Sequence, residues 1–365
     1  MSHPDYKQAV LAFGNYHPDL PTVEQGFEKF IVTPLAGGLI HKTYKVESEL
    51  SIPFVLQKIN HDVFEAPEDV HENYLHLTEY AEFEFTGLRL PYPHQYDDWN
   101  FLFKDKKGRC WRAMEFIENS KTFAIAQKTT QAKAVAKAFA KFTASYEGFD
   151  IELLKDTIPG FHDLSLRFKQ FEDAFKKSEH YERIQKALPL IDKLRKRERY
   201  KFFYEEISES SQFPKRVMHH DAKIANILFS QSTGRVICAV DFDTAMPGYF
   251  FSDLGDMIRS MACSRDETAI EFEKVNIRKP YYHAIIEGYL SVMQKQFTRV
   301  EKKYIHYSGL LMIYMQALRF LTDYLNGDMY YHTKYAEQNF DRALNQTALL
   351  QSLEEFLKAE YHLKT

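Results

Sequence analysis

A short stretch in the second half of the chain holds polar residues that suit phosphoryl transfer. His219, Asp221 and Asn226 form the pattern H-x-D-x-x-x-x-N, and an apolar run then leads to Asp241 and Asp243. The carboxylate of Asp221 can accept the proton of a substrate hydroxyl, and the oxygens of Asn226 and Asp241 suit Mg²⁺ that bridges the phosphates of a nucleotide. Asp243 could contact a second metal ion or the substrate. The order of these residues therefore predicts a kinase.

The residues between Asn226 and Asp241 predict how the two are positioned. They read I-L-F, then the turn S-Q-S-T-G, then R-V-I-C-A-V-D, which is typical of two strands joined by a tight turn. Exposed Asp and Asn are also common at turns without any function. A buried strand that delivers an acid to a loop favours the functional interpretation.

The same stretch resembles the aminoglycoside phosphotransferase and choline kinase superfamily. The runs V-M-H-H-D-A-K-I-A-N-I-L-F and V-D-F-D-T-A-M-P-G-Y-F-F-S-D-L-G-D-M-I-R carry the resemblance, and within the superfamily they are most similar to N-acetylhexosamine 1-kinases. The signature D-x-D-T-x-M-P-G-x-x-x-x-D-x-G-D-x-x-R of those kinases is matched from Asp241 to Arg259. The resemblance implies ATP and Mg²⁺ as cofactors. It also implies a sugar as the small-molecule substrate, with the anomeric hydroxyl of an N-acetylhexosamine or related hexose as acceptor.

The fold that this resemblance implies is α+β, a protein kinase-like two-lobed fold. Residues 1–117 are expected to form a small N-terminal nucleotide-binding lobe with an antiparallel sheet and a helix. Residues 118–365 are expected to form a larger, mainly helical C-terminal lobe with the catalytic loop and the acceptor site. The hydrophobic pattern agrees, because strand-like runs separated by turns give way to helical periodicity from Thr122 onward.

A glycine turn in the N-terminal lobe is a candidate phosphate-binding element. Gly37 and Gly38 stand at the tip of a predicted hairpin, where the lack of side chains lets backbone N–H groups approach phosphates. The kinases that the chain resembles have G-x-I-N-x-T-Y here, and His41 replaces the asparagine.

Further nucleotide contacts follow from the resemblance. Lys58, in the predicted strand I-P-F-V-L-Q-K-I-N, is the expected phosphate-contacting cation. In kinases a helical glutamate pairs with this lysine, and Glu72 is the candidate here, with Glu68 and Glu79 as alternatives on the same helix. The adenine ring is expected to bind the backbone from Glu115 to Ile117, where the two lobes connect.

Acceptor-side residues are predicted in two segments. I-P-G-F-H-D resembles the acceptor side of the hexosamine kinases and makes His162 a substrate candidate, although by itself it is a turn capped by an aspartate. R-F-L-T-D-Y places Arg319 and Asp323 four residues apart on an apolar helix. Either they form an internal ion pair, or the arginine binds acceptor oxygens. Asp323 is then a second substrate candidate.

Two residues near the catalytic aspartate are expected to support the site rather than react. In the superfamily that the chain resembles, an acid at the position of Asp253 binds the backbone of the catalytic loop. His219, the first residue of the H-x-D pattern, is assigned a structural role as well.

Composition narrows the function class. The formal net charge of -4 gives no electrostatic case for nucleic acid or an anionic membrane. The three cysteines are widely spaced, which suits a reducing compartment. The N-terminal residues lack the pattern of a secretory signal, so a cytoplasmic protein is expected. The sequence gives no indication of oligomeric state.

Two alternatives to a sugar kinase are considered. One is a kinase for a cationic acceptor such as an aminoglycoside or choline. The other is a nucleotide-binding pseudokinase without activity. A pseudokinase usually lacks the base, a metal ligand or the strand lysine, whereas Asp221, Asn226, Asp241 and Lys58 are all present.

Overall fold

The computed structural model describes residues 5–16, 25–35, 40–49, 51–84 and 86–363. It confirms the predicted α+β class, with an antiparallel sheet near the N-terminus and mainly helices toward the C-terminus. The predicted phosphate-binding Gly37 and Gly38 lie outside the described residues.

The strands are short. They are β1 (Ile31–Pro34), β2 (Lys42–Glu47), β3 (Phe54–Lys58), β4 (Pro93–His94), β5 (Leu102–Lys104), β6 (Cys110–Glu115), β7 (Ser120–Lys121), β8 (Arg216–Met218), β9 (Ile227–Ser230), β10 (Val236–Ala239) and β11 (Met246–Gly248).

The helices are longer and dominate the second half of the chain. They are α1 (Lys7–Asn15), α2 (Pro67–Phe83), α3 (Thr129–Ser145), α4 (Leu164–Lys177), α5 (Tyr181–Arg195), α6 (Arg199–Glu209), α7 (Phe251–Met261), α8 (Lys279–Met293), α9 (Arg299–Tyr304), α10 (Tyr307–Leu325) and α11 (Gln338–Tyr361). None of the helices within the described ranges is both long enough and apolar enough to cross a membrane.

The chain divides into two compact units, each discontinuous in sequence. The first unit comprises Met1–Thr122, Phe149–Ile158 and Leu228–Met246, and the second comprises Phe123–Gly148, Pro159–Ile227 and Pro247–Thr365. The segment with Asp241 and Asp243 belongs to the first unit because β7, β9 and β10 form one sheet. Such pairing between distant segments leaves no trace in local sequence. A functional boundary between residues 117 and 118 stays a prediction.

The main sheet of the first unit has the strand order β1-β2-β3-β6-β4, with β5 also paired to β6, and these pairs are antiparallel. Side chains alternate between its faces. One face packs Phe54, Leu56, Trp111 and Ala113 against α1 in an apolar core. The opposite face carries polar residues, some of which belong to the candidate site.

The second unit is built around α10. Most residues of this helix are buried, and it packs against α4, α7 and α11. Gly255 of α7 allows close approach, since a Cβ there would lie 2.4 Å from the carbonyl oxygen of Ser308. The close packing of α7 on α10 therefore fixes where the loops that follow these two helices begin.

Candidate functional site

The loop between β8 and β9 holds Asp221 in a fixed position within the second unit. The side-chain amide of Asn226 donates to Asp221 Oδ2 at 2.8 Å and to its backbone oxygen at 2.9 Å. Lys223 Nζ donates to the same Oδ2 at 2.7 Å. The Asp221 side chain is 29% exposed. A substrate can therefore reach a carboxylate that its neighbours keep oriented.

The charge state of Asp221 follows from these contacts. Burial alone would raise the pKa of Asp221, but the charge and hydrogen bond of Lys223, the nearby His219 and the Asn226 amide together hold it below its usual value. The carboxylate is therefore ionised at neutral pH, as a proton acceptor must be.

Asp253 supports the backbone of this loop. Its two carboxylate oxygens accept hydrogen bonds from the backbone N–H groups of His219, at 3.0 Å, and His220, at 2.7 Å. Asp253 lies within α7 and is fully buried. His220 adopts a positive φ of 63°, which is uncommon for a residue with a side chain. The two hydrogen bonds help to hold this conformation just before Asp221.

A second acidic group lies in the first unit. Asp241 is exposed and has a left-handed backbone with φ of 69°, and Asp243 follows it in the short 3₁₀ helix Phe242–Thr244. One oxygen of Asp243 lies 2.5 Å from His41 Nε2 and the other 2.5 Å from a terminal nitrogen of Arg112. All three of these side chains are at most 5% exposed. Asp243 is thus a buried, paired carboxylate, and Asp241 is the accessible one.

The charge of Asp243 is set by its partners. Burial opposes ionisation, but Arg112 and His41 hold the pKa of Asp243 well below its usual range. His41 is fixed in turn, because its Nδ1 accepts the backbone N–H of Asn60 at 3.1 Å and its ring stacks on Phe64. Arg112 and His41 therefore keep Asp243 ionised and hold its carboxylate in one orientation.

These residues fit a divalent cation. One ligand atom each from His41, Asp241 and Asp243 lie within 4.8 Å of one another. Mg²⁺ prefers carboxylate oxygens over imidazole nitrogen, and His41 Nε2 is already bound to Asp243. Asp241 and Asp243 are therefore the metal-ligand candidates, and His41 orients the second of them.

His41 and Arg112 were not predicted as site residues. For His41 the signal was its position, where the kinases that the chain resembles have asparagine. For Arg112 it was a charged residue in the middle of the strand run C-W-R-A-M-E. Only the pairing of Gln57 with Arg112 across β3 and β6 shows which face the arginine occupies.

The predicted ion pair between Lys58 and Glu72 is wrong for the residues that the structure describes. Lys58 of β3 lies opposite Trp111 of β6, so its side chain leaves the strand on the face that packs against α1. Gln57 lies on the opposite face, where its side-chain oxygen accepts hydrogen bonds from Arg112. Glu72 instead lies 3.6 Å from His76. The strand register decides this, and sequence alone does not reveal it.

Lys58 nevertheless has a basic environment. Together with Lys42, Lys107 and Arg109 it lines a cavity of about 510 Å³ in the first unit. Of the alternative partners, Glu68 pairs with Lys104 at 3.2 Å. A contact between Lys58 and the phosphates of ATP stays a prediction.

The predicted adenine-binding backbone is partly engaged. The N–H of Glu115 donates to the carbonyl oxygen of Tyr92 at 2.7 Å, and the Ser120 hydroxyl donates to the carbonyl oxygen of Ile117 at 2.6 Å. The Glu115 carboxylate pairs with Arg89. Adenine recognition by this segment stays a prediction.

His162 lies beside the loop that holds Asp221 in the second unit. Its Nδ1 is 2.6 Å from the Ser252 hydroxyl, and its ring contacts that of His220. Burial, together with the nearby His220 and Arg319, lowers the pKa of His162 well below its usual value, so the ring is neutral. The adjacent Asp163 caps α4 by accepting the N–H of Leu166 at 2.9 Å. A substrate role for His162 stays a prediction.

Within the described part of the chain, Arg319 and Asp323 form no ion pair. The internal ion pair, one of the two predictions for these residues, is therefore absent there. Asp323 accepts the backbone N–H groups of Tyr330, at 2.7 Å, and Tyr331, at 2.9 Å, and the side-chain amide of Asn339. It therefore shapes the loop after α10. The guanidinium of Arg319 lies 4.9 Å from the ring centre of Phe161 and within 6 Å of both tyrosine rings.

Comparisons with known proteins give the family of the chain and its fold. A family model described as the phosphotransferase enzyme family (APH) matches residues 31–288. An aminoglycoside phosphotransferase from Alicyclobacillus acidocaldarius superposes with a TM-score of 0.57 at 13% identity, covering 92% of this chain and 95% of that one. An ethanolamine kinase from Plasmodium vivax gives 0.56 at 13% identity, with 90% and 85% covered. A choline kinase from Cryptosporidium parvum gives 0.52 at 15% identity, with 93% of each covered. These likenesses confirm the predicted kinase-like fold.

Proposed function

Because this chain belongs to the phosphotransferase enzyme family, we propose that it transfers the γ-phosphoryl group of ATP to a sugar hydroxyl in the presence of Mg²⁺. The proposed acceptor is the anomeric hydroxyl of an N-acetylhexosamine or a related hexose. The observation that carries the proposal is the orientation of Asp221 by Lys223 and Asn226.

Asp221 is the proposed catalytic base. Lys223 and Asn226 both donate to Oδ2, and no described residue forms a hydrogen bond to Oδ1. Oδ1 can accept the proton of the acceptor hydroxyl as its oxygen attacks the γ-phosphorus. The protein otherwise contributes position and charge, which is the main part of phosphoryl-transfer catalysis.

Asn226, Asp241 and Asp243 are the proposed metal ligands. The Asn226 amide nitrogen donates to Asp221, which leaves its side-chain oxygen for a cation. Asn226 directly precedes β9, and Asp241 follows β10. Mg²⁺ would neutralise charge on the phosphates. The solved amicoumacin kinase, similar in fold, contains AMP-PNP and Ca²⁺.

The remaining nucleotide contacts are proposed from the resemblance. Gly37 and Gly38 approach the phosphates, Lys58 supplies positive charge, and the backbone from Glu115 to Ile117 binds adenine. The basic cavity around Lys58 supports its part. The proposed place of action is the cytoplasm, where ATP is available.

The acceptor is proposed to contact His162, Arg319 and Asp323 in the second unit. Asp243 is a further candidate for an acceptor contact. An aminoglycoside or choline-like acceptor is cationic and would meet the positive charge of Arg319. A sugar instead presents hydroxyl oxygens to the guanidinium and an apolar ring face to the neighbouring tyrosines.

The test is an acceptor panel. The purified protein is incubated with ATP, Mg²⁺ and, separately, free hexoses, N-acetylhexosamines, aminoglycosides and choline, and ADP release is measured. NMR then locates the phosphate on the product. We expect turnover with a sugar and a phosphate on its anomeric oxygen. Turnover confined to choline or an aminoglycoside would contradict the sugar proposal, and no turnover with any acceptor would favour the pseudokinase.

A further inference from the structure

A cavity of about 400 Å³ lies within the second unit, between α4, α10 and the loop that follows α10. Its lining includes Arg167 from α4, Arg319 and Thr322 from α10, and the loop residues Tyr330 and Tyr331. The sequence predicted a role for Arg319 alone among these residues.

The positive charges in this cavity are not balanced. Arg167 donates to the carbonyl oxygen of Phe161 and to the Gln170 side chain, and Arg319 donates to Gln316, so the acceptors are neutral. Neither arginine forms an ion pair within the described ranges.

The acidic residues that line the cavity bind partners other than the two arginines. Asp173 lies 3.5 Å from Lys177, one turn along α4. Asp323 directs its oxygens to the backbone N–H groups of Tyr330 and Tyr331 and to Asn339. Neither guanidinium group therefore forms an ion pair with a carboxylate among the described residues, although the charge of Asp163 acts on Arg167.

The proximity of the two guanidinium charges is unfavourable when no anion is bound. Burial, with the charge of Arg319, lowers the pKa of Arg167 to about 10, so the charged form is already less favoured than in water. The Thr322 hydroxyl is buried and has no hydrogen-bond partner among the described residues. A ligand that brings oxygen acceptors would relieve the repulsion and would find two planar donor groups suited to an oxyanion.

We propose that Arg167 and Arg319 bind a carboxylate or phosphate group on the acceptor, so that the enzyme uses an acidic sugar. This inference rests on the proposed function and narrows it from neutral hexoses to sugar acids or sugar phosphates.

Contacts within the second unit connect the cavity to the catalytic base. The Arg319 guanidinium stacks on Phe161, the Phe161 ring stacks on His162 at 4.5 Å between centres, and His162 contacts His220, the residue before Asp221. The proposal requires an acidic sugar to place its acid group at the arginines while its reacting hydroxyl reaches Asp221. The tyrosine rings beside Arg319 offer faces for the sugar ring.

The first experiment compares three acceptors with the same ring: an N-acetylhexosamine, its uronic acid and its 6-phosphate. We expect kcat/KM to be at least about tenfold higher for one or both acidic sugars, since hydrogen bonds between charged groups are the stronger ones. The carboxylate and phosphate arms show which oxyanion the cavity prefers. Equal kcat/KM for all three sugars would overturn the inference.

The second experiment removes each guanidinium. Arg167→Gln and Arg319→Gln should each lower kcat/KM for the preferred acidic sugar by about 30-fold, mainly through KM, and should lower it less for the neutral sugar. Arg319→Lys keeps the charge without the planar fork and should recover part of the loss. Equal losses for acidic and neutral sugars would contradict anion binding.

Lys176→Gln is the matched control. It makes the same change in net charge on α4, but Lys176 does not line the cavity and pairs with Glu172 on an exposed surface. We expect its kcat/KM to stay within about twofold of the wild type.

Calorimetry separates the two levels of the argument. The acidic sugars are titrated into wild-type protein and Arg319→Gln without ATP. If no sugar is phosphorylated but Arg319→Gln abolishes binding of an acidic sugar, the anion site stands and the proposed reaction fails. If neutral sugars are phosphorylated and acidic ones neither bind nor react, the proposed reaction stands and the anion site fails.

Discussion

Lys223 and Asn226 donate hydrogen bonds to the same carboxylate oxygen of Asp221, at 2.7 and 2.8 Å. The shared oxygen holds the carboxylate plane in one orientation, and Oδ1 remains for the acceptor. Asp221 is thus oriented by residues of its own eight-residue motif, and Asp253 holds the backbone just before it.

Asp221→Asn should abolish most of the phosphoryl transfer. The amide keeps the size of the side chain but cannot accept the hydroxyl proton, so we expect kcat to fall by about 10³-fold. Circular dichroism and ATP affinity should be nearly unchanged, because the buried core is untouched. Turnover equal to that of the wild type would rule out Asp221 as the base.

Lys223→Met should change the pH profile. Lys223 lowers the pKa of Asp221, so removing it raises that pKa and reduces the ionised fraction at the acidic end. A carboxylate base is active at pH values above its pKa. When that pKa rises, the acidic limb of the plot of log kcat/KM against pH should move to higher pH. Wild type should show no such limb from Asp221 between pH 5 and pH 8, since a carboxylate with a lowered pKa is ionised there. An unshifted profile would show that Lys223 does not set the charge of the base.

Asp241→Ala should weaken nucleotide binding only when Mg²⁺ is present. Asp241 is the exposed carboxylate of the acidic pair, and its loss removes one oxygen ligand from the proposed metal site. Calorimetric titration of an ATP analogue with and without Mg²⁺ measures the difference directly. We expect about tenfold weaker binding with Mg²⁺. Equal weakening without the ion would show that Asp241 acts independently of the metal.

Arg112→Met should destabilise the first unit. The substitution leaves Asp243 buried without its guanidinium partner, and breaking a buried pair in this way costs about 3–5 kcal/mol. The double variant Arg112→Met with Asp243→Asn removes both charges and should regain part of that loss. Denaturant unfolding of wild type, single and double variants measures these free energies. A single variant as stable as the wild type would show that the pair contributes nothing to folding.

The parts of the site that sequence predicts are those contained in short segments. The spacing of Asp221, Lys223 and Asn226 brings them together because a tight loop leads into a 3₁₀ turn. The predicted strand, turn and strand after Asn226 are β9 and β10. Local turn chemistry and hydrophobic periodicity are enough to read such elements.

The remainder was decided by contacts between distant segments. His41 and Asp243 are 202 residues apart in sequence and touch only because the sheet and the acidic segment fold into one unit. Lys58 faces away from Arg112 because of the strand register, and a shift of one residue would reverse that choice. Arg167 and Arg319 line the same cavity because α4 packs on α10. Sequence by itself determined the family and predicted the role of the loop from His219 to Asn226, since both rest on local residue order. Tertiary structure alone decided which charges are compensated, because burial and pairing depend on neighbours that the chain brings together only on folding.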